Sequence, residues 1–437
     1  MPCTPFRISA LALVLLLLSG CGGSSGGGPG SGSGGGGGSQ PTIVTVTFTG
    51  PSPTAVATQI GSAPFGAVTP ASAVTITLPS GRTSFGVAYV CPAITTVSDP
   101  TQNYQYVFEA TTTDGTSFKE SCLSSTSASQ TGALTVVADA SAIPLVSQMS
   151  VQAQSGNNIA TASSGGPFFS GTLSAPTGSD TVDILAYCGS ANDLLAGVKV
   201  LTEQTVPGAV NGGNTVVLAA ADETTLQPIT FSNPMNGGGT LNSTASYFLT
   251  GGGIPIPLGQ GNSSEYAVVP ATVAQTSGIY VIEMVDSESA SSGTSVGTKS
   301  VITTVTSNTG GPVAVAFPDA WTFSAPTPAA LPTIDTSYSG FAGKSPVIQS
   351  AGINWTSSAS SVDNYSVTAT QNYQNGSTSI TLPNLSTIQG FLAAPSTGTT
   401  VSWSAAVVEG EIGNPTQGYV ANASTEGVAN SGTYAVP

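Results

Sequence analysis

The sequence predicts an all-β protein, built as sandwich modules in series behind an N-terminal leader and a disordered Gly/Ser tether. Three observations support this fold class. Short runs alternate apolar and polar residues, as from Val44 to Phe48, which is the pattern of a half-buried strand. Turn residues separate these runs, since 54 glycines and 30 prolines are spread along the chain. No stretch after the leader has the periodicity of an amphipathic helix.

Residues 1–20 have the layout of a cleaved export signal peptide. Arg7 supplies a positive charge, an apolar segment runs from Leu11 to Leu18, and small residues precede Cys21. The alternative is an uncleaved membrane anchor, but this apolar segment is well short of the roughly 20 residues that span hydrocarbon. The sequence therefore predicts an exported mature chain.

The segment Leu18-Ser19-Gly20-Cys21 resembles the lipobox of bacterial lipoproteins. In that family the cysteine is lipidated and becomes the mature N-terminus, so the resemblance implies lipid attachment at Cys21 and firm membrane anchoring. Gly22 stands where an Asp would favour the inner membrane, which implies an outer-membrane or surface location. Residues 21–40 are thus the lipidated cysteine and a flexible linker, because glycine and serine dominate them.

Charge and composition exclude several classes of function. The chain has 21 acidic residues, six basic residues, a formal net charge of −15 and no histidine. With so few cations no basic patch can neutralise phosphates, so we exclude nucleic acid as a partner. Without histidine the chain lacks the commonest general base and transition-metal ligand, and we expect no catalytic residue, no metal and no cofactor. We also expect little change in stability between about pH 5 and about pH 8.

Turn signals and composition breaks divide the rest of the chain into four modules of roughly 100 residues each. The second module is a degenerate copy of the first, because the run from Val182 to Cys188 echoes the run from Phe85 to Cys91. In the first module Asp114-Gly115 predicts a two-residue hairpin turn. The predicted boundaries are 41–130, 131–221, 222–318 and 319–437.

The last module resembles fibronectin type III-like sandwiches. Ile353-Asn354-Trp355 is similar to the second strand with its core tryptophan, and Asn375-Gly376 is similar to the hairpin turn after the third strand. The run from Gly398 to Trp403 is similar to the late strands. Trp403 itself and the extra stretch 387–394 depart from the family pattern. The resemblance implies tandem immunoglobulin-like or fibronectin type III-like sandwiches.

Cys91 and Cys122 are the proposed disulfide. An exported protein can form disulfides, and these two cysteines lie at predicted strand ends within one module. Closing the loop between them would stabilise the fold by roughly 3 to 4 kcal/mol in the chain-entropy model. Cys188 is then a buried free thiol or an intermolecular partner, and a Cys91–Cys188 bond stays open at this point.

Paired acids are the residues that come nearest to a catalytic or calcium site. A glycosidase or an oxygen-ligated calcium site requires such pairs, although solvated acids beside loops are the ordinary outcome in an acidic chain. A Gly-x-Ser-x-Gly motif at 293–297 is not a nucleophile elbow, because no histidine can take the serine proton. The three acidic pairs are Asp222/Glu223, Asp286/Glu288 and Glu409/Glu411.

The three tryptophans introduce a carbohydrate-binding alternative, since an exposed indole is a stacking platform for sugars. Trp355 and Trp403 lie in alternating patterns and are expected to face a sandwich core. Trp321, beside a proline-rich linker, is the candidate for ligand stacking, or else it fills an inter-domain joint.

These observations together predict a non-enzymatic cell-envelope lipoprotein that acts as a surface spacer, an adhesion protein or a protein-interaction scaffold. Its partners would be the membrane, through the lipid on Cys21, and an envelope protein or polysaccharide. The first alternative is a carbohydrate-binding surface lipoprotein that assists polysaccharide capture. The second is a carboxylate-dependent glycoside hydrolase, which would need two acids roughly 5 to 10 Å apart in a cleft.

Overall fold

The computed structural model describes most of the chain from residue 41 to residue 437. Residues 1–40, which contain the predicted leader and tether and Cys21, lie outside the described residues. No helix in the described part is long and apolar enough to cross a membrane. The described segments are 41–94, 100–122, 132–155, 158–175, 181–190, 194–205, 214–232, 240–249, 255–259, 264–274, 278–289, 295–305, 311–321, 325–341, 347–410 and 424–437.

The prediction of an all-β fold is confirmed: the described residues form strands joined by turns, with only single turns of helix. The helical turns are α1 (Ala271–Ala274), α2 (Gln371–Gln374) and a 3-10 turn (Ala220–Asp222). The strands are β1 (Thr42–Thr49), β2 (Ala55–Ile60), β3 (Gly66–Val68), β4 (Ala73–Leu78), β5 (Ser84–Ile94), β6 (Thr101–Thr111), β7 (Ser117–Ser121), β8 (Gly132–Asp139), β9 (Val146–Ser155), β10 (Asn158–Gly165), β11 (Phe168–Ala175), β12 (Thr181–Ser190), β13 (Leu195–Thr205), β14 (Asn214–Val217), β15 (Thr225–Ser232), β16 (Thr240–Leu249), β17 (Pro255–Gly259), β18 (Glu265–Val268), β19 (Ile279–Ser289), β20 (Ser295–Val305), β21 (Val313–Ala316), β22 (Thr333–Asp335), β23 (Ile348–Ser358), β24 (Ser361–Thr370), β25 (Ser379–Thr381), β26 (Thr400–Glu409) and β27 (Ser424–Ala435).

One sheet of twelve strands runs through three of the four predicted modules. Its order is β17-β16-β19-β20-β27-β26-β23-β24-β6-β5-β2-β3. Within it β6 and β24 pair in parallel, with Thr101 opposite Ser361, and β20 pairs with β27 in antiparallel fashion. The boundaries between the modules remain predictions. The strand order shows in addition that modules 1, 3 and 4 are joined edge to edge within this sheet.

The first predicted module packs a small sheet, β4-β1-β7, against β2, β5 and β6 of the large sheet. Phe85, Phe108 and Phe118 meet at its centre with ring centroids 5.2 to 6.3 Å apart. Cys91 and Cys122 are joined in a disulfide, so Cys91 is not available to Cys188. This bond ties β5 to the end of β7 across the core.

The prediction of a β-hairpin at Asp114-Gly115 is wrong. The turn is present, but β6 lies in the large sheet and β7 lies in the small sheet, so the two strands do not pair. The side chain of Asp114 accepts hydrogen bonds from the backbone N–H and the hydroxyl of Thr111, at 2.8 and 2.9 Å. These bonds close the turn while the chain crosses from one sheet to the other.

The extra stretch that departs from the fibronectin type III pattern covers the outer face of the first module. Phe391 and its neighbours pack on small residues of β2 and β5, among them Ala55 and Ala88. Gly390 has a φ of +91°, and a Cβ there would lie 2.9 Å from the Cβ of Ala55, so glycine permits this close approach. The backbone N–H of Leu392 donates to Oε1 of Gln105 at 2.8 Å. The parts of β2, β5 and β6 that lie under this stretch are therefore buried on both faces.

The second predicted module packs sheet β10-β9-β12-β13 on sheet β11-β8-β14. Cys188 is a buried free thiol in this core, and burial raises its pKa to about 11. The opposite face of β12 and β13 is also apolar, since Leu185 and Val198 join the core of the third module. That core includes Phe248 and Tyr280, whose ring centroids are 4.7 Å apart.

In the last module, the predicted burial of two tryptophans is confirmed. Trp355 and Trp403 are 5% and 3% exposed and belong to one core with Val401. They lie on neighbouring strands, because β23 and β26 pair with Ile353 opposite Trp403. The short pair β22-β25 covers this core, with Ile334 opposite Ile380.

Candidate functional site

A cleft of about 560 Å³ opens beside Trp321 in the last module. Its walls come from residues 320–321, 336–340 and 376–378, and Gln349 and Gln371 complete the lining. Concave sites of about 300 to 1,000 Å³ are typical of small-molecule binding. None of the described lining residues is Asp, Glu, Lys or Arg. The described lining is therefore uncharged, and the cleft has the size of a ligand site.

Aromatic rings form one side of the cleft. The indole N–H of Trp321 donates to the backbone carbonyl of Ser337 at 2.6 Å, and this hydrogen bond is solvent-exposed. The ring of Tyr338 meets Trp321 edge to face, with centroids 6.0 Å apart. Tyr338 in turn packs on the buried ring of Phe341 at 4.6 Å. The half-buried indole of Trp321 is thus held in place by its polar edge and by its neighbours.

Buried polar groups form the other side. The hydroxyl of Thr336 donates to Oε1 of Gln349 at 2.6 Å, and Nε2 of Gln349 donates to Oε1 of Gln371 at 3.0 Å. Thr336 is fully buried and Gln349 is 4% exposed. Because buried amides held by such bonds cannot reorient freely, the cleft presents its hydrogen-bonding groups in fixed positions.

The third wall follows α2. The predicted hairpin turn at Asn375-Gly376 is instead the end of this helical turn: the Asn375 N–H donates to the carbonyl of Gln371 at 3.1 Å, with Asn375 in the left-handed region at a φ of +46°. Gly376 follows at a φ of +84° and lines the cleft. Two successive left-handed residues reverse the chain and bring Ser377 and Thr378 to the cleft.

The first module holds α2 in position through Asp114. The carboxylate accepts a hydrogen bond from the hydroxyl of Thr370 at 2.7 Å and another from Nδ2 of Asn372 at 2.6 Å. Thr370 is also the N-cap of α2, accepting from the N–H of Tyr373 at 3.3 Å. A continuous hydrogen-bonded path thus runs from Asp114 through α2 to the cleft wall.

Three glutamates have pKa values raised toward neutrality, which predicts a pH dependence that the sequence did not lead us to expect. Burial raises the pKa of Glu109, Glu120 and Glu283 to about 7 in each case. Hydrogen bonds from Tyr373 to Glu109 at 3.2 Å, and from Tyr89 to Glu120 at 2.8 Å, lower these values only in part. The sequence could not reveal these shifts, because burial depends on which faces meet.

The proposed acidic pairs do not line the cleft. Asp222 is buried and accepts from the N–H of Ala219 at 2.8 Å, with Nζ of Lys199 3.5 Å away. Asp286 is fully buried, and Glu409 is 4% exposed and lies opposite Glu426 on β27. The side chain of Glu288 and the whole of Glu411 lie outside the described residues. Among the residues searched, no cluster of acids and cysteines is placed to hold a metal ion.

Of the sequence-predicted site residues, Trp321 lies at the cleft, Cys91 and Cys122 form the structural disulfide, and Cys21 is outside the described residues. Sequence reasoning missed Tyr338, Gln349 and Gln371. No local motif links them, because they come from separate segments that only the folded module brings together.

Comparison with known proteins assigns this chain to no family. No protein-family model matches the chain, and no curated protein matches it significantly.

Proposed function

We propose that this protein is a non-enzymatic recognition or adhesion protein, anchored by lipid to a bacterial cell envelope, and that it binds its ligand in the Trp321 cleft. The observation that carries the proposal is the cleft itself: a concavity of about 560 Å³ with a half-buried indole and no charged side chain in the part of its lining that the structure describes. A pure spacer has no need of such a site.

The anchoring part of the proposal rests on the sequence. Cys21 follows an apolar leader, and the Gly/Ser tether would hold the folded part away from the membrane surface. We further propose that the sandwich of residues 319–437 is fibronectin type III-like. Its core tryptophans and the paired strands β23, β24, β26 and β27 support that likeness.

The shape of the cleft favours carbohydrate capture over protein scaffolding as the function of this site. Protein interfaces on sandwiches are usually broad, whereas this site is a small concavity with fixed polar groups. The hydrolase alternative receives no support at the cleft, since its described lining contains no carboxylic acid.

The anchoring proposal is tested with the full-length chain and its Cys21→Ser variant. We expect the wild-type protein to take up a fatty-acid label and to sediment with membranes, and the variant to lose both. A labelled, membrane-bound Cys21→Ser variant would contradict the proposal.

The recognition proposal is tested with isolated bacterial envelopes and the detergent-solubilised full chain. We expect saturable binding that is weakened by Trp321→Ala and unaffected by Phe168→Ala, which alters an exposed aromatic ring in a different module. Equal binding by the two variants would place recognition elsewhere.

A further inference from the structure

We infer that the ligand of the cleft is a segment of a neutral glycan, with one sugar ring stacked on Trp321. This inference rests on the proposed function only in taking the cleft as the recognition site. Its three supports are the geometry of the aromatic wall, the fixed amide groups and the distribution of charge.

The aromatic wall suits a sugar ring. The N–H edge of Trp321 is taken by the carbonyl of Ser337, so the polar edge of the indole is satisfied without a ligand. The indole is half-buried, since it packs against the core of the last module and against the cluster around Phe341, and it also lines the cleft. Because its polar edge is bonded, the contact it can make with a ligand is through apolar ring surface. The C–H face of a pyranose is apolar and flat, and it packs on such a surface.

The polar wall suits the rim of the same ring. A pyranose presents hydroxyl groups around its edge, and each of them can donate and accept a hydrogen bond. Thr378 offers a hydroxyl on an exposed loop position, and Gln371 offers an amide whose Oε1 is already fixed by Gln349. The hydroxyl of Ser377 also lies on this wall, but its proton is donated to the Ser379 carbonyl at 3.0 Å. A ligand with many hydroxyls can pair with the exposed members of this set, whereas a purely apolar ligand would cover them without replacing their hydrogen bonds to water.

The charge around the cleft selects against acidic glycans. Behind the aromatic wall, burial together with the charges of Asp319 and Glu426 raises the pKa of Tyr338, which places two acids close to that ring. The described cleft lining holds no cation, and the whole chain carries a net charge of −15. Among the described lining residues a uronate would find no compensating partner, which favours a neutral ligand.

The test measures binding of defined oligosaccharides to the detergent-solubilised full chain by calorimetry. The probes are hexasaccharides of neutral glucose, mannose and xylose polymers, with a galacturonic acid hexasaccharide as the acidic probe. We expect saturable binding of at least one neutral probe and none of the acidic probe. Trp321→Ala should weaken binding by roughly tenfold or more, and Trp321→Tyr should restore part of it.

A second cleft variant tests the inference independently if Trp321→Ala does not fold. Ser377 is exposed on the cleft wall, so Ser377→Leu should narrow the cleft without disturbing the core. We expect it to weaken binding while the melting temperature stays unchanged. Phe168→Ala is the matched control and should bind like the wild type.

Several outcomes overturn the inference. Failure of every neutral probe, preference for the acidic probe, or full binding by both cleft variants would each do so. Envelopes treated with periodate, which destroys sugar diols, separate this failure from failure of the proposed function. Trp321-dependent binding that survives periodate would leave the recognition site in place and identify its ligand as a non-glycan, such as a protein.

Discussion

The junction between modules 1 and 4 differs in kind from the junction between modules 2 and 3. Beside its apolar layer, the junction between modules 1 and 4 contains directional hydrogen bonds. Asp114 accepts from Thr370 and Asn372. Glu109 accepts from the hydroxyl of Tyr373. The second junction is mainly apolar, with Leu185 and Val198 entering the core around Phe248. Its polar contacts lie where the chain passes from one module to the next, as in the hydrogen bond from the Thr224 hydroxyl to the Leu195 carbonyl at 2.6 Å. Apolar contacts are non-directional, whereas hydrogen bonds fix position and carry charge. The first junction can therefore position the cleft wall and respond to pH, and the second supplies cohesion.

The largest effect is expected from a covalent difference between module 1 and module 2. Module 1 carries the disulfide and module 2 carries the free thiol of Cys188. The double variant Cys91→Ser/Cys122→Ser should lower the free energy of unfolding of its module by about 4 kcal/mol, since it releases a long loop. Hydrogen exchange of β5 and β12 in urea would measure this. Equal loss of protection in both strands would contradict a local role.

The next largest effect is expected at the apolar junction. Leu185 is 1% exposed, so Leu185→Ala should cost about 3 kcal/mol and loosen modules 2 and 3 together. Leu145→Ala is the matched control, because Leu145 is 87% exposed. Urea denaturation of both variants would reveal the difference, and similar midpoints would show that the junction adds no cohesion.

At the polar junction, Asp114→Ala should have a smaller effect on stability and a specific effect on the cleft. Losing charge-assisted bonds to Thr370 and Asn372 should cost about 2 kcal/mol, and glycan affinity should fall severalfold because α2 is released. Asp139→Ala is the control: Asp139 also closes a local turn, by accepting from the Ser141 N–H at 2.8 Å, but in module 2. Calorimetry with the neutral hexasaccharide would separate the two variants.

The last effect concerns pH and is spread over three glutamates in modules 1 and 3. Glu109, Glu120 and Glu283 have a pKa of about 7 when folded, against about 4.5 as the ordinary value. The folded chain therefore binds more protons than the unfolded chain between these limits, so stability falls as pH rises from about 4.5 to about 7 and is then level. The melting temperature should be roughly 2 to 5 °C higher at pH 5 than at pH 8.

The variant Glu109→Gln assigns part of that pH dependence to the polar junction. It should reduce the difference in melting temperature between pH 5 and pH 8, because an amide is uncharged at both pH values. Glu265→Gln, at an exposed position on β18, serves as the control. A melting temperature that rises with pH would contradict the sign of the raised pKa values.

Local periodicity made part of this architecture predictable. The all-β class followed from alternation and turn residues, and the burial of Trp355 and Trp403 followed from their place in alternating runs. Two other predictions failed for a shared reason. A turn signal reports that the chain reverses, but it does not report whether the next strand joins the same sheet, as at Asp114, or whether a helical turn intervenes, as at Asn375.

The sequence by itself determined the fold class and named Cys91 with Cys122 and Trp321 as candidates, because each depends on residue types and short spacings. It left Cys188 open as a partner of Cys91, and the folded chain decided for Cys122. Only the tertiary structure decided the pairing of β6 with β24, the cover of residues 387–394 over module 1 and the raised pKa of Glu109. These features join residues more than 250 positions apart, as Thr101 and Ser361 show. Strand faces that pack against distant segments carry no local signature of their partner, so the cleft and its hydrogen-bonded support exist only in the folded chain.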